Sequence, residues 1–219
     1  MPVSPPRIKF CGITSLHDAK LAVEAGAWAI GLIRFAGSPR RCELPEAERI
    51  ARTLRRQVEI CGVFVNAPLD EVAAVADGVG LTMVQLHGDE GPAYCAEVAR
   101  RTGAKVMKAA RVRTGADVAA LERFHTDLHL LDAHQPGRWG GTGETFDWEL
   151  VRQRRTDVPF VLSGGLAPEN VAAAIAATHP YAVDTASGTE ARPGVKDPDK
   201  LLAFAAAVAS TAPAVAETA

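Results

Sequence analysis

The sequence lacks long hydrophobic runs and lacks an excess of basic charge. No apolar stretch approaches the ~20 residues that a membrane-spanning helix needs. The first residues, Met1 to Pro6, contain no apolar signal region. We therefore expect a protein that stays in the cytoplasm and has no membrane partner. The 24 Lys and Arg residues are balanced by 26 Asp and Glu residues, so the charge does not favour a nucleic-acid partner.

Cysteine is scarce, and its spacing argues against the usual roles of paired cysteines. Cys11, Cys42, Cys61 and Cys95 form no Cys-x-x-Cys pair, and their separations suit neither a zinc site nor a disulfide framework. We expect all of them to be free thiols. Cys61 lies in an apolar strand and Cys95 in a helix, where a small hydrophobic residue is what the core needs. Only Cys11 and Cys42 lie near strand-to-helix turns.

The composition is that of one globular domain. The 219 residues are 47% hydrophobic and 23% charged, and no linker interrupts the pattern. We assign residues 1–209 to this domain. The small and polar tail, residues 210–219, is expected to fray.

The chain alternates short apolar runs with helical patterns. The runs are continuous rather than alternating, which is typical of parallel strands covered by helices. The predicted strands are Arg7–Gly12, Trp28–Ile33, Val58–Val65, Leu81–Leu86, Ala104–Ala110, Leu128–Asp132, Phe160–Leu162 and Tyr181–Asp184. The predicted helices are Ser15–Ala25, Pro45–Arg56, Pro68–Asp77, Pro92–Arg101, Ala116–Arg123, Trp148–Arg154, Pro168–Ala177 and Pro198–Ala209.

This alternation predicts an α/β fold, a single-domain (β/α)8 TIM barrel. Pro45, Pro68, Pro168 and Pro198 stand where helices should begin, which supports the boundaries. A doubly wound open sheet is the alternative. It would normally show Gly-x-Gly-x-x-Gly after the first strand, and Cys11-Gly12-Ile13-Thr14 does not match that motif.

Reactive and polar residues follow the predicted strands at their carboxyl ends, where barrels of this type carry their active sites. The opposite ends carry no comparable set. The residues at the carboxyl ends are Cys11, Arg40, Gln85, His87, Asp132, Gly164, Gly165, Asp184, Ser187 and Gly188.

Glycine pairs after the seventh and eighth strands indicate an anion site. Gly164-Gly165 and Ser187-Gly188 match the phosphate site that recurs in these barrels, because glycine lets backbone N–H groups approach an anion closely. The alternative is that these glycines only make tight turns. The first half of the chain has no similar Gly-Gly pair, which favours one phosphate rather than two.

Cys11 is a candidate general base. A free thiol has a pKa of ~8.5, and neighbouring positive charge makes its thiolate more available. We expect the Lys9 side chain to point to the other face of the strand. Two alternatives remain open, a buried structural cysteine and a nucleophile with His87 near it in space.

Asp132 is a candidate general acid, since a carboxyl in an apolar barrel mouth can have a raised pKa. Its alternative role is to cap the following turn. The glycine-rich loop after it, Gly137–Gly143, is predicted to close over a ligand. Arg40 offers a planar fork for a carboxylate or a phosphate, although a plain surface arginine is the alternative.

Taken together, these residues stand in motifs that resemble the phosphoribosylanthranilate isomerase family over almost the whole chain, in the right order. The motifs are Lys9-Phe10-Cys11-Gly12-Ile13-Thr14, Ser38-Pro39-Arg40, Gly62-Val63-Phe64-Val65-Asn66, Gln85-Leu86-His87-Gly88, Gly140-Gly141-Thr142-Gly143, Phe146-Asp147-Trp148, Ser163-Gly164-Gly165-Leu166, Ser187-Gly188 and Pro193-Gly194-Val195-Lys196-Asp197.

The resemblance implies an Amadori rearrangement in tryptophan biosynthesis, in which an aminoaldose phosphate becomes an aminoketose phosphate. It gives Cys11 the general-base role and Asp132 the general-acid role. It also implies a small-molecule sugar-phosphate partner. No metal or cofactor is expected, because acid–base chemistry suffices.

The resemblance assigns the remaining positions to substrate binding. Arg40 would hold the anthranilate carboxylate, and Asp184 would lie near the ribose. The other assigned residues are Gln85, His87 and Gly143 around the mouth and Gly164, Gly165, Ser187 and Gly188 at the phosphate.

Four residues depart from the family pattern. Ala186 stands where a second serine is usual, Thr189 where valine is frequent, Arg34 where an apolar or aromatic residue is common, and Glu144 where a lysine or a glutamine often stands. They put substrate affinity and substrate range in question and leave the predicted acid and base alone.

Three other functions stay open. They are the histidine-pathway aminoaldose isomerase, which holds two phosphates, a non-catalytic sugar-phosphate binder, and a metal-dependent sugar-phosphate epimerase. The sequence is compatible with a monomer or a homodimer.

Overall fold

The computed structural model describes residues 5–132, 149–152 and 154–212. Eight parallel strands form a closed barrel in chain order, with the first strand hydrogen-bonded to the eighth. The strands are β1 (Arg7–Cys11), β2 (Ala29–Ile33), β3 (Glu59–Phe64), β4 (Met83–Leu86), β5 (Lys105–Arg111), β6 (Leu128–Asp132), β7 (Phe160–Ser163) and β8 (Ala182–Thr185). The predicted TIM barrel is confirmed.

A helix follows each strand, which covers the outside of the barrel. The helices are α1 (Leu16–Glu24), α2 (Leu44–Leu54), α3 (Leu69–Val79), α4 (Pro92–Thr102), α5 (Gly115–Ala119), α6 (Glu149–Arg152), α7 (Val171–Thr178) and α8 (Pro198–Ala209). No helix in the described ranges is long and apolar enough to cross a membrane.

The hydrophobic core has two parts. The larger part fills the space between the barrel and its helices. The smaller part lies inside the barrel, where Met83, Met107, Leu130 and Val161 are fully buried beside Cys61. Most strand residues are therefore buried on both faces, which explains why the strands lack polar alternation.

Local sequence signals start most helices as predicted. Ser15 caps α1 by accepting a hydrogen bond from the backbone N–H of Asp18 at 3.1 Å. Asp197 caps α8 in the same way. Pro45 and Pro92 lie in the first turns of α2 and α4, where a missing N–H costs nothing.

Pro168 does not begin α7, contrary to the prediction. It lies in a turn, and α7 begins at Val171 after Asn170. The Asn170 side chain accepts a hydrogen bond from the Ala167 N–H at 2.9 Å and donates one to the Gly165 carbonyl at 3.0 Å. These contacts hold the loop after β7 in a turn and delay the helix.

Further differences concern short elements. The predicted helix Ala116–Arg123 is an α-helix only to Ala119 and continues as a 3-10 helix, Ala120–Arg123. After β8 the chain forms a 3-10 helix, Ser187–Thr189, and a hairpin, which the sequence did not predict. The hairpin strands are β9 (Glu190–Arg192) and β10 (Val195–Lys196).

The tail prediction concerns mostly residues outside the described ranges. The N–H groups of Ser210 and Thr211 still bond to the carbonyls of Ala206 and Val208 at the end of α8. The domain limit at residue 209 and the fraying of the tail stay predictions.

Candidate active site

The predicted site residues lie on the C-terminal side of the barrel strands. Cys11 and Asp132 are the last residues of β1 and β6, and Asp184 lies within β8. Gln85 lies in β4 and His87 directly follows it. Arg40 lies between β2 and α2, and the glycine segments follow β7 and β8. Gly143 and the predicted closing loop, Gly137–Gly143, lie outside the described residues.

The Cys11 thiol lies in the mouth and is largely shielded from solvent, with 6% of the residue exposed. Burial raises the pKa of this thiol above its ordinary value, and Asp184 raises it further. The positive charges of Lys9 and Lys196 oppose that shift without overcoming it. Neighbouring positive charge lowers the pKa of Cys11, as expected, but burial has the larger effect.

Lys9 lies on the same side of β1 as Cys11, so its predicted orientation was wrong. The two residues are two positions apart, and side chains two positions apart in a strand share a face. The Lys9 Nζ lies 2.8 Å from Asp184 Oδ1 inside the barrel. Asp184 Oδ2 also accepts a hydrogen bond from the Ser163 hydroxyl at 3.1 Å.

The Asp132 carboxyl is held by a histidine. His87 Nε2 lies 3.3 Å from Asp132 Oδ2. Gln85 Nε2 lies 2.9 Å from His87 Nδ1, and an amide nitrogen can only donate. The two contacts hold the imidazole ring between Gln85 and Asp132. His87 partners Asp132, so the geometry favours a role for His87 beside Asp132 over activation of Cys11 as a nucleophile.

Arg40 is fixed by a carboxylate that sequence reasoning did not single out. Its Nε lies 2.8 Å from Glu190 Oε1, and its Nη2 lies 2.8 Å from Glu190 Oε2. The Glu190 side chain is only 3% exposed, whereas that of Arg40 is 24% exposed. Hydrogen bonds to Glu190 raise the pKa of Arg40. A guanidinium carries more N–H donors than these contacts use, so Arg40 keeps the capacity to bind an anion.

A second buried lysine, Lys196 on β10, lies beside the pair formed by Arg40 and Glu190, with its Nζ 3.9 Å from Glu190 Oε1. Its Nζ donates to the Ala186 carbonyl at 2.8 Å and to the Thr189 hydroxyl at 3.2 Å. Burial lowers the pKa of Lys196 to about 8. Thr189, one of the departures from the family pattern, thus supplies a hydrogen-bond acceptor to this lysine.

The glycine segments after β7 and β8 lie against each other. Gly164 and Gly165 have φ angles of 103° and 68°, which glycine adopts readily. A Cβ on Gly188 would overlap the carbonyl oxygen of Leu166 in the neighbouring segment. Ser187 and Gly188 open a 3-10 helix, and the first N–H groups of a helix have no partner within it. The segments after β7 and β8 are therefore in direct contact at the C-terminal side of the barrel.

Arg34, another departure, is engaged with the backbone. Its Nη1 donates to the Cys42 carbonyl just before α2. The positive charge of Arg34 therefore has a local structural partner.

Glu190 and Lys196 are residues of the candidate site that sequence reasoning missed. Lys196 stands inside a motif quoted above, but a lysine in a loop follows no periodic pattern that would indicate its burial. Lys9 could have been found, since a lysine within an apolar strand two residues before the candidate base is unusual. In the described ranges no group of three or more His, Cys, Asp or Glu residues could hold a metal ion.

The chain is similar to known proteins of one family. The family model described as N-(5'-phosphoribosyl)anthranilate (PRA) isomerase matches residues 8–207. An N-(5'-phosphoribosyl)anthranilate isomerase of Citrifermentans bemidjiense is 51% identical over 195 residues, covering 89% of this chain and 93% of the relative.

Solved structures show the same similarity. The phosphoribosyl anthranilate isomerase of Thermotoga maritima is 40% identical with a TM-score of 0.82, covering 94% of this chain and 98% of that one. Another phosphoribosyl anthranilate isomerase, in complex with reduced 1-(o-carboxyphenylamino)-1-deoxyribulose 5-phosphate, is 38% identical with a TM-score of 0.80. The match covers 94% of this chain and 99% of that one. The chain belongs to the N-(5'-phosphoribosyl)anthranilate isomerase family.

Proposed function

We propose that this chain isomerises N-(5'-phosphoribosyl)anthranilate to 1-(2-carboxyphenylamino)-1-deoxyribulose 5-phosphate by general acid–base catalysis, with Asp132 as the acid and Cys11 as the base. The isomerisation, a step of tryptophan biosynthesis, is the activity of the family. The acid–base assignment rests on one observation: Cys11 and Asp132 end β1 and β6 at the same mouth of the barrel. We also propose that the protein acts in the cytoplasm. Its assembly state is proposed to be either a monomer or a homodimer.

Asp132 acts first. Its carboxyl donates a proton to the ribose ring oxygen while the bond from that oxygen to C1 breaks. The anthranilate nitrogen supplies the electron pair that forms the C1=N bond of a Schiff base. His87 holds Oδ2 of Asp132, so the carboxyl meets the ring oxygen in a fixed orientation, as efficient proton transfer requires.

Cys11 acts second. Its thiolate removes the proton from C2 of the Schiff base, and the freed electron pair forms the C1=C2 bond of an enolamine while the nitrogen becomes a neutral amine. The enolamine then takes up a proton at C1 as its C2 hydroxyl becomes a ketone. A thiol whose pKa is raised by burial is a strong base once ionised, although a smaller fraction is ionised at neutral pH.

The anionic groups of the substrate match the remaining residues. Arg40, held by Glu190, binds the anthranilate carboxylate with donors that Glu190 leaves available. Gly164, Gly165, Ser187 and Gly188 bind the phosphate through backbone N–H groups. Gln85, His87 and Asp184 line the mouth around the ribose, and Gly143 is proposed to contact the substrate from the loop after β6.

A turnover assay tests the function directly. The substrate is generated from anthranilate and phosphoribosyl pyrophosphate, and its fluorescence is followed after addition of catalytic amounts of this protein. Rapid loss of fluorescence is expected. No loss with folded protein would contradict the assignment and would point to another sugar phosphate as the substrate.

Removing the Arg40 guanidinium is expected to weaken substrate binding more than it slows chemistry. Arg40→Ala should raise KM by roughly 10–100-fold, since a hydrogen bond to a charged group contributes about 1.5–3 kcal/mol. Glu190→Gln should raise KM by a smaller factor, because Arg40 remains but loses its charged partner. Steady-state kinetics measure both effects.

Glu97→Gln is the matched control for Glu190→Gln. Glu97 also pairs with arginines, Arg100 and Arg101, but on the exposed surface of α4. It should leave KM unchanged. An Arg40→Ala enzyme with normal KM and reduced kcat would contradict a binding role.

Adding a methyl group at Gly188 is expected to damage the phosphate site. The new Cβ would overlap the Leu166 carbonyl, so the segments after β7 and β8 must separate. Gly188→Ala should raise both KM and the inhibition constant of inorganic phosphate by about tenfold or more, as loss of charge-assisted hydrogen bonds predicts.

Gly78→Ala in α3 is the control for this substitution. Its Cβ would meet no heavy atom within 4 Å, and alanine suits a helix better than glycine. It should leave phosphate inhibition unchanged. Equal inhibition of the Gly188→Ala and unmodified enzymes would exclude Gly188 from the phosphate site.

A further inference from the structure

Lys9 is a fully buried cation inside the barrel, with 0% of the residue exposed. The neighbouring interior residues are mostly apolar, among them Met83, Met107 and Leu130. Burying an ammonium group costs several kcal/mol unless it is paired and hydrogen-bonded. Apolar residues would fill this position at lower cost, so the lysine calls for an explanation beyond packing.

Asp184 holds the Lys9 ammonium in one place. The two residues are direct partners in the pairing of β1 with β8, and Lys9 Nζ lies 2.8 Å from Asp184 Oδ1. Ser163 on β7 donates to the other carboxylate oxygen at 3.1 Å. Three neighbouring strands therefore fix the position of the positive charge.

Gly31 brings this charge and the Cys11 thiol together. Gly31 on β2 is the direct partner of Cys11 in the pairing of β1 with β2. A Cβ on Gly31 would lie 2.6 Å from Cys11 Sγ and 3.1 Å from Lys9 Nζ. Both groups thus converge over the space that the missing side chain leaves open.

We propose that Lys9 is a positioning residue that stabilises the thiolate of Cys11, with Asp184 and Gly31 placing its ammonium beside the sulfur. This inference rests on the proposed role of Cys11 as the base. When the thiol gives up its proton, the new negative charge forms beside a fixed positive charge in a dry interior, where such an interaction is strong. Asp184 has two opposed effects, because it fixes Lys9 and also repels the thiolate.

Other charges also act on Cys11, and they come from several elements. Besides Lys9 on its own strand, the titratable and charged groups that face it are Asp184 on β8, Cys61 on β3, Lys196 on β10 and Arg40 after β2. Lys9 and Asp184 oppose each other in their effect on the thiol. Removing the charge of Lys9 should therefore raise the pKa of the Cys11 thiol, and removing the charge of Asp184 should lower it.

The experiment measures the ionisation of Cys11 without substrate. The rate of Cys11 alkylation by iodoacetamide is followed against pH by mass spectrometry of its peptide, since only the thiolate reacts. Lys9→Met should move the midpoint to higher pH, by roughly one to three pH units. Asp184→Asn should move it to lower pH, because the negative charge that repels the thiolate is removed while the asparagine oxygen can still accept the hydrogen bond that holds Lys9 in place.

Lys108→Met is the matched control. Lys108 on β5 is also buried and paired, with its Nζ 2.9 Å from Glu90 Oε2. Its removal should leave the Cys11 midpoint in place. A Lys9→Met midpoint equal to that of the unmodified protein would overturn the proposal, and so would Asp184→Asn and Lys9→Met shifts in the same direction. If Lys9→Met does not fold, a raised or unchanged midpoint in Asp184→Asn overturns it.

The pH dependence of kcat/KM separates this inference from the proposed function. In Lys9→Met and in Asp184→Asn, the pH profile of kcat/KM should shift together with the alkylation midpoint of Cys11. Alkylation midpoints that shift as expected while kcat/KM keeps its original profile would leave Lys9 as the partner of the thiolate and remove Cys11 from the role of base.

Discussion

Asp132→Asn is expected to lower kcat by ~10²–10⁴-fold, the usual contribution of one acid–base group. Asparagine has nearly the same shape as aspartate but carries no acidic proton to give to the ribose ring oxygen. The ring would then open only as fast as water can protonate it. The fluorescence assay for phosphoribosylanthranilate measures this loss.

Binding must survive for this result to identify the acid. The reduced product found in complex with a relative is a suitable probe, and calorimetry should give an affinity for Asp132→Asn within a few-fold of that of the unmodified enzyme. Asp157→Asn, at an exposed aspartate before β7, is the matched control and should keep full turnover. Turnover of Asp132→Asn within tenfold of normal would exclude Asp132 as the acid.

Cys11→Ser is expected to produce a loss of similar size, ~10²–10⁴-fold in kcat. A serine hydroxyl occupies the same position but does not ionise in the working pH range, so the C2 proton has no acceptor. With substrate deuterated at C2, the residual reaction should show a primary kinetic isotope effect, because proton removal becomes the slow step.

Cys95→Ser is the matched control, since Cys95 is a buried thiol in α4 and lies outside the barrel mouth. It should leave turnover nearly unchanged. Near-normal activity of Cys11→Ser would remove the thiol from the mechanism.

The pH dependence of kcat/KM should reflect the ionisation of the Cys11 thiol. The base must be ionised, so kcat/KM should rise as the pH rises through the Cys11 pKa, which burial places above its ordinary value. Cys11→Ser should lose this rise. Lys196, whose pKa burial lowers to about 8, titrates in the neighbouring range. A pH dependence that remains in Cys11→Ser is therefore expected to disappear in Cys11→Ser/Lys196→Met.

The sequence predicted the architecture because its signals are local. Continuous apolar runs mark buried strands, and prolines such as Pro45 and Pro198 mark helix starts. Errors arose where a tertiary contact decided the element. The Asn170 side chain delays α7, and the hairpin of β9 and β10 is too short to carry a periodic pattern.

Candidate chemistry was also predictable, because barrel topology collects the ends of all strands at one mouth. That rule located Cys11, Asp132 and the glycine pairs without any knowledge of contacts. The same rule did not predict which neighbouring side chains contact these residues. The Lys9 orientation was wrong although strand periodicity alone would have given it, since residues two apart share a face.

By itself, then, the sequence determined the barrel, the mouth and the reactive groups in it, because each depends on short-range pattern and on a general rule of strand order. Only the tertiary structure decided the partners. Lys9 and Asp184 are separated by 175 positions and Arg40 and Glu190 by 150, and only closure of the barrel and packing of the hairpin bring such pairs within hydrogen-bond distance. Ionisation depends on the same contacts, because burial and neighbouring charge, rather than residue type, decide how readily the Cys11 thiol gives up its proton.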